Sequence, residues 1–273
     1  MAKAVSTGGY TTSARGDEEI VILFLIFFVS ENHKGQSMIS EGAQTRLQNI
    51  KKQAWYDDVK FKAFCIPIQG IDEIITQVAA IIVKHGGKAK VQIHEIGLFS
   101  HAGGDGPISY NTDIVESPVD AGWPHQMGLS GWAKIDFVWA RNPFCVFYGC
   151  NTGNTSSDWK NFAKSISLLG NFKDVAVWGQ STSSFPSFYP DYRVTSVARS
   201  VGDDGVGWNL RGKTYQVGGN AGEGKKAISF RTDKDIISEA DLKKDHSKAT
   251  PLNCYNNGAL SRSIHQGIFN DHR

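Results

Sequence analysis

The sequence predicts an α/β fold in which helices sandwich a mainly parallel sheet and an antiparallel extension follows toward the C-terminus. Apolar runs of strand length alternate with amphipathic stretches from Ile20 onward, the order of a sheet whose parallel strands are joined by helices. The run Ile20–Val29 is rich in β-branched and aromatic residues, as in a central parallel strand that is buried on both faces. Beyond Ser181 the apolar segments are short and separated by glycines, which favours antiparallel strands.

Two helices and two strands are predicted after the first strand. Apolar residues near helical spacing predict a helix over Ile39–Tyr56, and alternating residues predict a strand over Val59–Ile68. The segment Ile71–His85 has apolar residues at i, i+3, i+4 and i+7 and stops at Gly86-Gly87, a typical helix end. The apolar segment Val91–Ser100 then predicts the third strand.

The second half of the core begins with a long polar loop, and loops of this length in compact domains are often functional. The run Asn154–Asp158 offers several N-cap residues for the helix that follows it. The predicted elements are a loop over Ala102–Trp123, a helix over His125–Ala140, a strand over Pro143–Gly149, a helix over Trp159–Leu169 and a strand over Val175–Gly179.

The chain is predicted to form one core with two appendages. These are a mobile N-terminal tail over 1–19, an α/β core over 20–185 and a β-rich extension over 186–273 that packs on the core. Within the extension we predict short strands over Val194–Val201, Lys213–Gly219 and Lys225–Phe230, and a weak helix near Ile236–Lys243.

Composition excludes several classes of protein. The 273 residues are 40% hydrophobic and 21% charged with a net charge of +2, without the basic block of nucleic-acid or membrane-surface proteins. Four scattered cysteines make neither a disulfide framework nor a zinc site. The run Ile20–Val29 is too short to span a bilayer, and acids precede it where a secretory signal carries Lys or Arg. We therefore expect a cytoplasmic protein, or one exported without a classical signal peptide.

Two reactive side chains stand where predicted strands end. His101 follows the strand Val91–Ser100, and Cys150 follows Pro143–Gly149. Because ligands bind at the carboxyl ends of parallel strands, the two residues can meet although they are far apart in the chain. A thiol and an imidazole within hydrogen-bond reach are the minimal machinery of nucleophilic acyl transfer. We therefore predict Cys150 as the nucleophile and His101 as the general base and acid.

The residues around this pair have matching roles. A helix predicted soon after Cys150 would place the thiol near the positive end of the helix dipole, which favours the thiolate. Backbone N–H groups of Gly149, Ala102 and Gly103 are candidates for an oxyanion hole. Asp105 would orient the imidazole or contact substrate. Neither a cofactor nor a metal is required, and the predicted partner is a peptide or amide substrate.

The pattern resembles the caspase-like (clan CD) cysteine peptidases, including the gingipain and CHAT-type members. The resemblance rests on an apolar block ending in Ser-His and glycines, followed by an apolar block ending in Gly-Cys, and it covers Ile20–Ser184. It implies an α/β/α sandwich with His101 and Cys150 as the catalytic dyad of a peptidase or amidase. It also implies that Ser181, Thr182 and Ser183 border a substrate groove, and it is compatible with a bacterial effector or toxin.

Three alternatives remain open from the sequence. The family usually has Gly directly after the His, whereas Ala102 stands here, which favours an inactive caspase-like binding protein. Ser181 follows a short strand as the nucleophile of a serine hydrolase would, although the G-x-S-x-G pattern is incomplete. A metal hydrolase would draw its ligands from His94, His101, Asp105 and Asp113.

Overall fold

The computed structural model describes residues 20–30, 37–109, 127–158, 160–193, 213–219, 240, 243–244 and 246–266. The predicted tail over 1–19 and the strands predicted over Val194–Val201 and Lys225–Phe230 lie outside these residues. The described strands are β1 (Val21–Val29), β2 (Phe61–Ile68), β3 (Val91–Phe99), β4 (Ala102–Gly103), β5 (Gly106–Pro107), β6 (Trp139–Phe147), β7 (Ala176–Gln180), β8 (Ser184–Ser187), β9 (Tyr215–Gly218), β10 (Leu252–Asn256) and β11 (Ala259–Ile264). The described helices of four or more residues are α1 (Ser37–Lys51), α2 (Glu73–Lys84), α3 (Leu129–Trp132) and α4 (Phe162–Ile166).

Seven strands form one sheet in the order β11-β10-β7-β6-β3-β1-β2. The five strands from β7 to β2 pair in parallel, while β10 and β11 add antiparallel strands at one edge. The prediction of a mainly parallel sheet with antiparallel C-terminal strands is confirmed. Two further pairs, β4 with β5 and β8 with β9, form small antiparallel sheets.

The strand β1, which lies between β3 and β2, is buried on both faces because its side chains alternate between two hydrophobic clusters. Leu23, Leu25 and Phe27 belong to one cluster, and Phe24 and Ile26 belong to the other. The first cluster receives apolar side chains of α2, α3 and α4, and the second receives those of α1. Helices therefore cover both faces of the sheet. None of the helices in the described part of the chain is long and apolar enough to cross a membrane.

The helix predicted over His125–Ala140 is wrong for most of its length. Of its described residues, from Met127 onward, only Leu129–Trp132 is α-helical, and β6 already begins at Trp139. The Phe137 and Trp139 rings stack at a centroid distance of 4.5 Å and pack against Phe172. Trp139 also pairs with Ile93 of β3 as the first residue of β6. This tertiary pairing overrides the local helical pattern.

The hairpin of β10 and β11 was not predicted. The sequence predicts that this part of the chain is polar, with a weak helix near Ile236–Lys243. Most of the range of that helix lies outside the described residues. The turn between the strands holds Asn257 at φ 48° and Gly258 at φ 81°, the left-handed pair of a type I′ turn. An Asn-Gly pair between alternating residues was the signal that could have identified this hairpin.

A buried ion pair links α1 to the centre of the sheet. Arg46 donates from Nε to Oε1 of Glu95 at 2.9 Å and from Nη2 to Oε2 at 2.7 Å. The two side chains are 1% and 0% exposed. Both carboxylate oxygens are thus satisfied by a planar guanidinium, the geometry in which a buried pair recovers most of its desolvation cost.

Replacing Glu95 alone is expected to leave an uncompensated buried charge on Arg46. The variant Glu95→Leu should lower the free energy of unfolding by about 3–5 kcal/mol in urea denaturation, and Arg46→Met/Glu95→Leu should recover most of this loss. The matched control is the exposed pair of Lys88 and Asp136, where Asp136→Asn should cost no more than about 1 kcal/mol. Equal losses for the two pairs would contradict the anchoring role of Arg46 and Glu95.

Candidate active site

The predicted dyad follows two neighbouring strands of the sheet. Leu98 on β3 pairs with Phe147 on β6, and Tyr148 N–H still donates to the carbonyl of Leu98 at 3.0 Å. His101 and Cys150 each stand three residues beyond the last paired residue of their strand. The parallel register therefore directs both segments to the same edge of the sheet.

Gly149 shows that the two segments remain in contact beyond the paired residues. A Cβ built on Gly149 would collide with the Cβ of Ala102 and would lie 2.8 Å from the carbonyl oxygen of Ser100. The residue before Cys150 therefore packs on the residues on either side of His101. This contact explains why residue 149 is a glycine and brings the predicted site residues Gly149 and Ala102 together.

His101 begins a short hairpin that is fixed against the rest of the core. Ile108 N–H donates to the carbonyl of His101 at 2.8 Å, and β4 pairs with β5 inside this loop. Gly104 packs against the backbone of Lys160, where a Cβ would overlap the carbonyl. Gly106, at φ 129°, packs against the ring of Phe162. The hairpin holds His101 in place while its side chain remains exposed.

The sulfur of Cys150 is bound by the backbone of Ser184, the first residue of β8. Ser184 N–H donates to Sγ at 3.3 Å, and the thiol donates to the Ser184 carbonyl oxygen at 3.5 Å. These two contacts fix the position of the sulfur. Cys150 itself is only partly buried, so the thiol is open to reagents.

The helix predicted over Trp159–Leu169 is the shorter α4. It begins at Phe162, and its N-cap is Asn161, whose side chain accepts from Lys164 N–H. The first turn of α4 contacts the segment that carries Cys150, because the Ala163 N–H donates at 2.8 Å to the carbonyl of Thr152, two residues after Cys150. An effect of the helix dipole on the thiol stays a prediction.

The loop after Cys150 is held by buried polar groups that the sequence did not identify. The hydroxyl of Thr152, which is fully buried, lies 3.0 Å from both the Phe147 and Gly149 carbonyls and accepts from Gln180 N–H. The Gly153 carbonyl accepts from Asn253 Nδ2 at 2.9 Å. Gln180 and Asn253 lie on β7 and β10, far from Cys150 in the chain. Spacing along the chain therefore carried no signal for their contacts with this loop.

The predicted groove residues lie beside this loop. The carbonyl of Thr182 accepts from Asn151 N–H at 2.9 Å, while its hydroxyl bonds with Thr250. Ser181 donates its hydroxyl to the carbonyl of Pro251 at 2.7 Å, which directs its proton to a carbonyl oxygen and not to a base. The Ser183 carbonyl accepts from Gly219 N–H. Asp105 lies in the turn between β4 and β5, where a Cβ on Gly103 would lie 2.9 Å from its carboxylate.

The other three cysteines are less available to reagents than the partly exposed Cys150. Burial raises the pKa of the Cys65 thiol to about 12. Burial and then the nearby Glu95 carboxylate raise the pKa of the Cys145 thiol well above its usual value. Cys254 is 0% exposed. Cys65 and Cys145 are therefore protonated at neutral pH, and Cys254 is inaccessible.

The metal hypothesis finds no support in the part of the chain that the structure describes. Within it, no group of three or more His, Cys, Asp or Glu side chains is placed to hold a metal ion. The ring of His94 packs between Phe24 and Phe144 at centroid distances of 5.3 Å each. Asp113, another proposed ligand, lies outside the described residues.

Comparisons with protein-family models, with curated proteins and with solved structures found no significant match to this chain. The functional argument therefore rests on the geometry of the site.

The contact between Gly149 and Ala102 predicts the effect of a methyl group. Gly149→Ala should lower the free energy of unfolding by about 1–3 kcal/mol through overpacking, as measured in urea. Adding Ala102→Gly should recover part of the loss because one of the two clashes is removed. Gly170→Ala is the control, since a Cβ there meets nothing within 4 Å. An undiminished stability of Gly149→Ala would mean that the two segments are not in contact.

The four cysteines should react with iodoacetamide in a fixed order. At pH 8 in the folded protein, mass spectrometry should find Cys150 modified first, since the raised pKa values of Cys65 and Cys145 leave these two without thiolate. Urea should abolish the difference. Modification of Cys65 or Cys145 at the rate of Cys150 would contradict this assignment.

Proposed function

We propose that this protein is a cysteine hydrolase that cleaves peptide or amide bonds, with Cys150 as nucleophile and His101 as general base. The observation that carries the proposal is the contact of Gly149 with Ser100 and Ala102 at the ends of β6 and β3. It brings the chain segments of an imidazole and a partly exposed thiol together at the edge of a parallel sheet where ligands bind.

The chemical roles follow from these groups. His101 takes the thiol proton, and the Cys150 sulfur attacks the carbonyl carbon of the substrate. The resulting oxyanion is stabilised by backbone N–H groups, for which Gly149, Ala102 and Gly103 are the candidates. The C–N bond then breaks as the leaving amine receives the proton from His101. Water, deprotonated by His101, hydrolyses the thioester and releases the acid.

A caspase-like fold is the finer form of this proposal. Helices on both faces of a mainly parallel sheet, with His101 after its third strand and Cys150 after the next parallel strand, support it. Ala102 does not weigh against activity on backbone grounds. Its φ is not in the positive range, so the residue after His101 presents its N–H without needing the freedom of a glycine.

Hydrogen-bond direction does not separate the serine alternative from the cysteine proposal, because the Ser181 hydroxyl and the Cys150 thiol each donate to a backbone carbonyl. The incomplete G-x-S-x-G pattern around Ser181 favours Cys150. Labelling of Ser181 by a fluorophosphonate would reverse this preference.

Substitution of the dyad tests the proposal. A pool of fluorogenic peptide amides that varies the residue before the scissile bond should be cleaved by the wild type. Cleavage should be lost in Cys150→Ala and should fall about 10²–10⁴-fold in His101→Ala. Ser261→Ala, on the exposed strand β11, is the folding-matched control and should retain activity.

The wild type, His101→Ala and Ser261→Ala can also be compared without turnover by the rate of Cys150 alkylation. His101→Ala should slow this reaction at pH 7, because the base that accepts the thiol proton is gone. Cleavage that survives Cys150→Ala, or Cys150 that reacts no faster than the buried cysteines, would contradict a cysteine hydrolase and favour a binding protein on the same scaffold.

A further inference from the structure

We propose that Gln216 is a positioning residue for Cys150 and acts on its sulfur through Ser184. The proposal deepens the proposed function and rests on it, since it concerns the same nucleophile. Gln216 lies on β9, which is remote in sequence from both Cys150 and the predicted groove residues.

Ser184 connects the two residues. Its backbone N–H donates to the Cys150 sulfur, and its hydroxyl oxygen lies 3.7 Å from that sulfur. The same hydroxyl donates to the carbonyl of Tyr148 at 2.9 Å and accepts from Gln216 Nε2 at 3.2 Å. Ser184 is thus fixed from two sides, by the strand that leads to Cys150 and by β9.

The chemistry of the serine fixes the orientation of the Gln216 amide. A hydroxyl has one proton, and that of Ser184 is directed at the carbonyl of Tyr148. Its oxygen can only accept from the amide of Gln216, so Nε2 and not Oε1 must face it. The amide N–H of Gln216 therefore helps to hold Ser184, whose backbone N–H donates to the sulfur.

The oxygen end of the Gln216 amide destabilises the fold. Gln216 is 7% exposed, and its buried Oε1 has no hydrogen-bond partner within the described ranges. An unsatisfied buried acceptor destabilises a fold. An apolar side chain of similar length would avoid that cost, so the fold gains little from an amide here. The Nε2 contact with Ser184 is what distinguishes the glutamine from a methionine.

The strand that carries Gln216 is held in place by a second amide. Gln180, at the end of β7, donates from Nε2 to the backbone carbonyl of Gln216 at 3.0 Å. Gln180 Oε1 in turn accepts from Gln266 Nε2 at 2.7 Å. Both glutamines are 0% exposed. The position of β9 beside Ser184 is therefore set both by its pairing with β8 and by the contact with Gln180 on β7, the strand next to β6.

The test is the isosteric variant Gln216→Met, read by melting temperature and by the rate and pH profile of Cys150 alkylation with iodoacetamide. The melting temperature should stay the same or rise, because the unpaired acceptor is removed. The alkylation rate at pH 7 should fall about fivefold, the effect of losing one hydrogen bond, and the pH midpoint should move upward. Gln216→Glu, which adds a negative charge, should move the midpoint further.

The route through Ser184 is tested by a double-mutant cycle. Ser184→Ala removes the hydroxyl but keeps the backbone N–H, so Gln216→Met added to it should slow alkylation no further. Ser184→Thr retains the hydroxyl and should restore most of the rate. Gln53→Met is the control, since the Gln53 amide donates to the Asn49 carbonyl in another part of the chain and its loss should leave Cys150 alkylation unchanged.

Two outcomes would overturn the inference. One is an unchanged rate and pH profile in Gln216→Met, and the other is additive effects of Gln216→Met and Ser184→Ala. Alkylation reads the sulfur without turnover, so these results differ from a failure of the proposed function, which would appear as amide cleavage that survives Cys150→Ala.

Discussion

The direct parallel pairing of β3 with β6 is the constraint on which the candidate site depends. Because both strands run in the same direction and are neighbours in the sheet, the chain leaves both at one edge, and any residues placed just after them become neighbours. Gly149 extends this relation past the last hydrogen bond of the ladder, since its missing side chain lets the segment before Cys150 contact Ser100 and Ala102. Placing a nucleophile and a base at this edge therefore requires only that each follows its strand closely.

The sheet that provides this edge is anchored from within. The Arg46 and Glu95 pair ties α1 to β3 with two short charge-assisted bonds in a region that is closed to water. Such a pair adds little stability over apolar packing, but it tolerates few alternative arrangements. The rings of Phe99, the last residue of β3, and Tyr148, the residue directly after β6, stack 3.9 Å apart and lie nearer the site. The ion pair limits how α1 can shift on β3, and the stacked rings limit how the ends of β3 and β6 can shift relative to each other.

Cys150 is contacted by polar groups of a second sheet. It stands three residues beyond the last paired residue of β6, and its sulfur is contacted by Ser184 of a separate two-stranded sheet. Buried hydroxyl and amide groups of Thr152, Gln180 and Gln216 connect the two sheets. Buried polar networks of this kind cost stability unless they are well satisfied, which is why their presence beside a partly exposed thiol favours a functional explanation.

Local pattern determined much of this protein. Side-chain periodicity reflects burial. It therefore predicted that β1 is buried on both faces and that α2 is a helix. It also predicted that His101 and Cys150 follow apolar strands. Three features were decided only in the folded chain. Trp139 became part of a strand because β3 offered an edge to pair with, despite a local helical pattern. The N–H group that donates to the Cys150 sulfur came from Ser184, the first residue of a strand in another sheet. Gln216 reached Ser184 from a distant strand. Each depends on contacts between segments far apart in sequence, and neither periodicity nor spacing along one segment carries information about them.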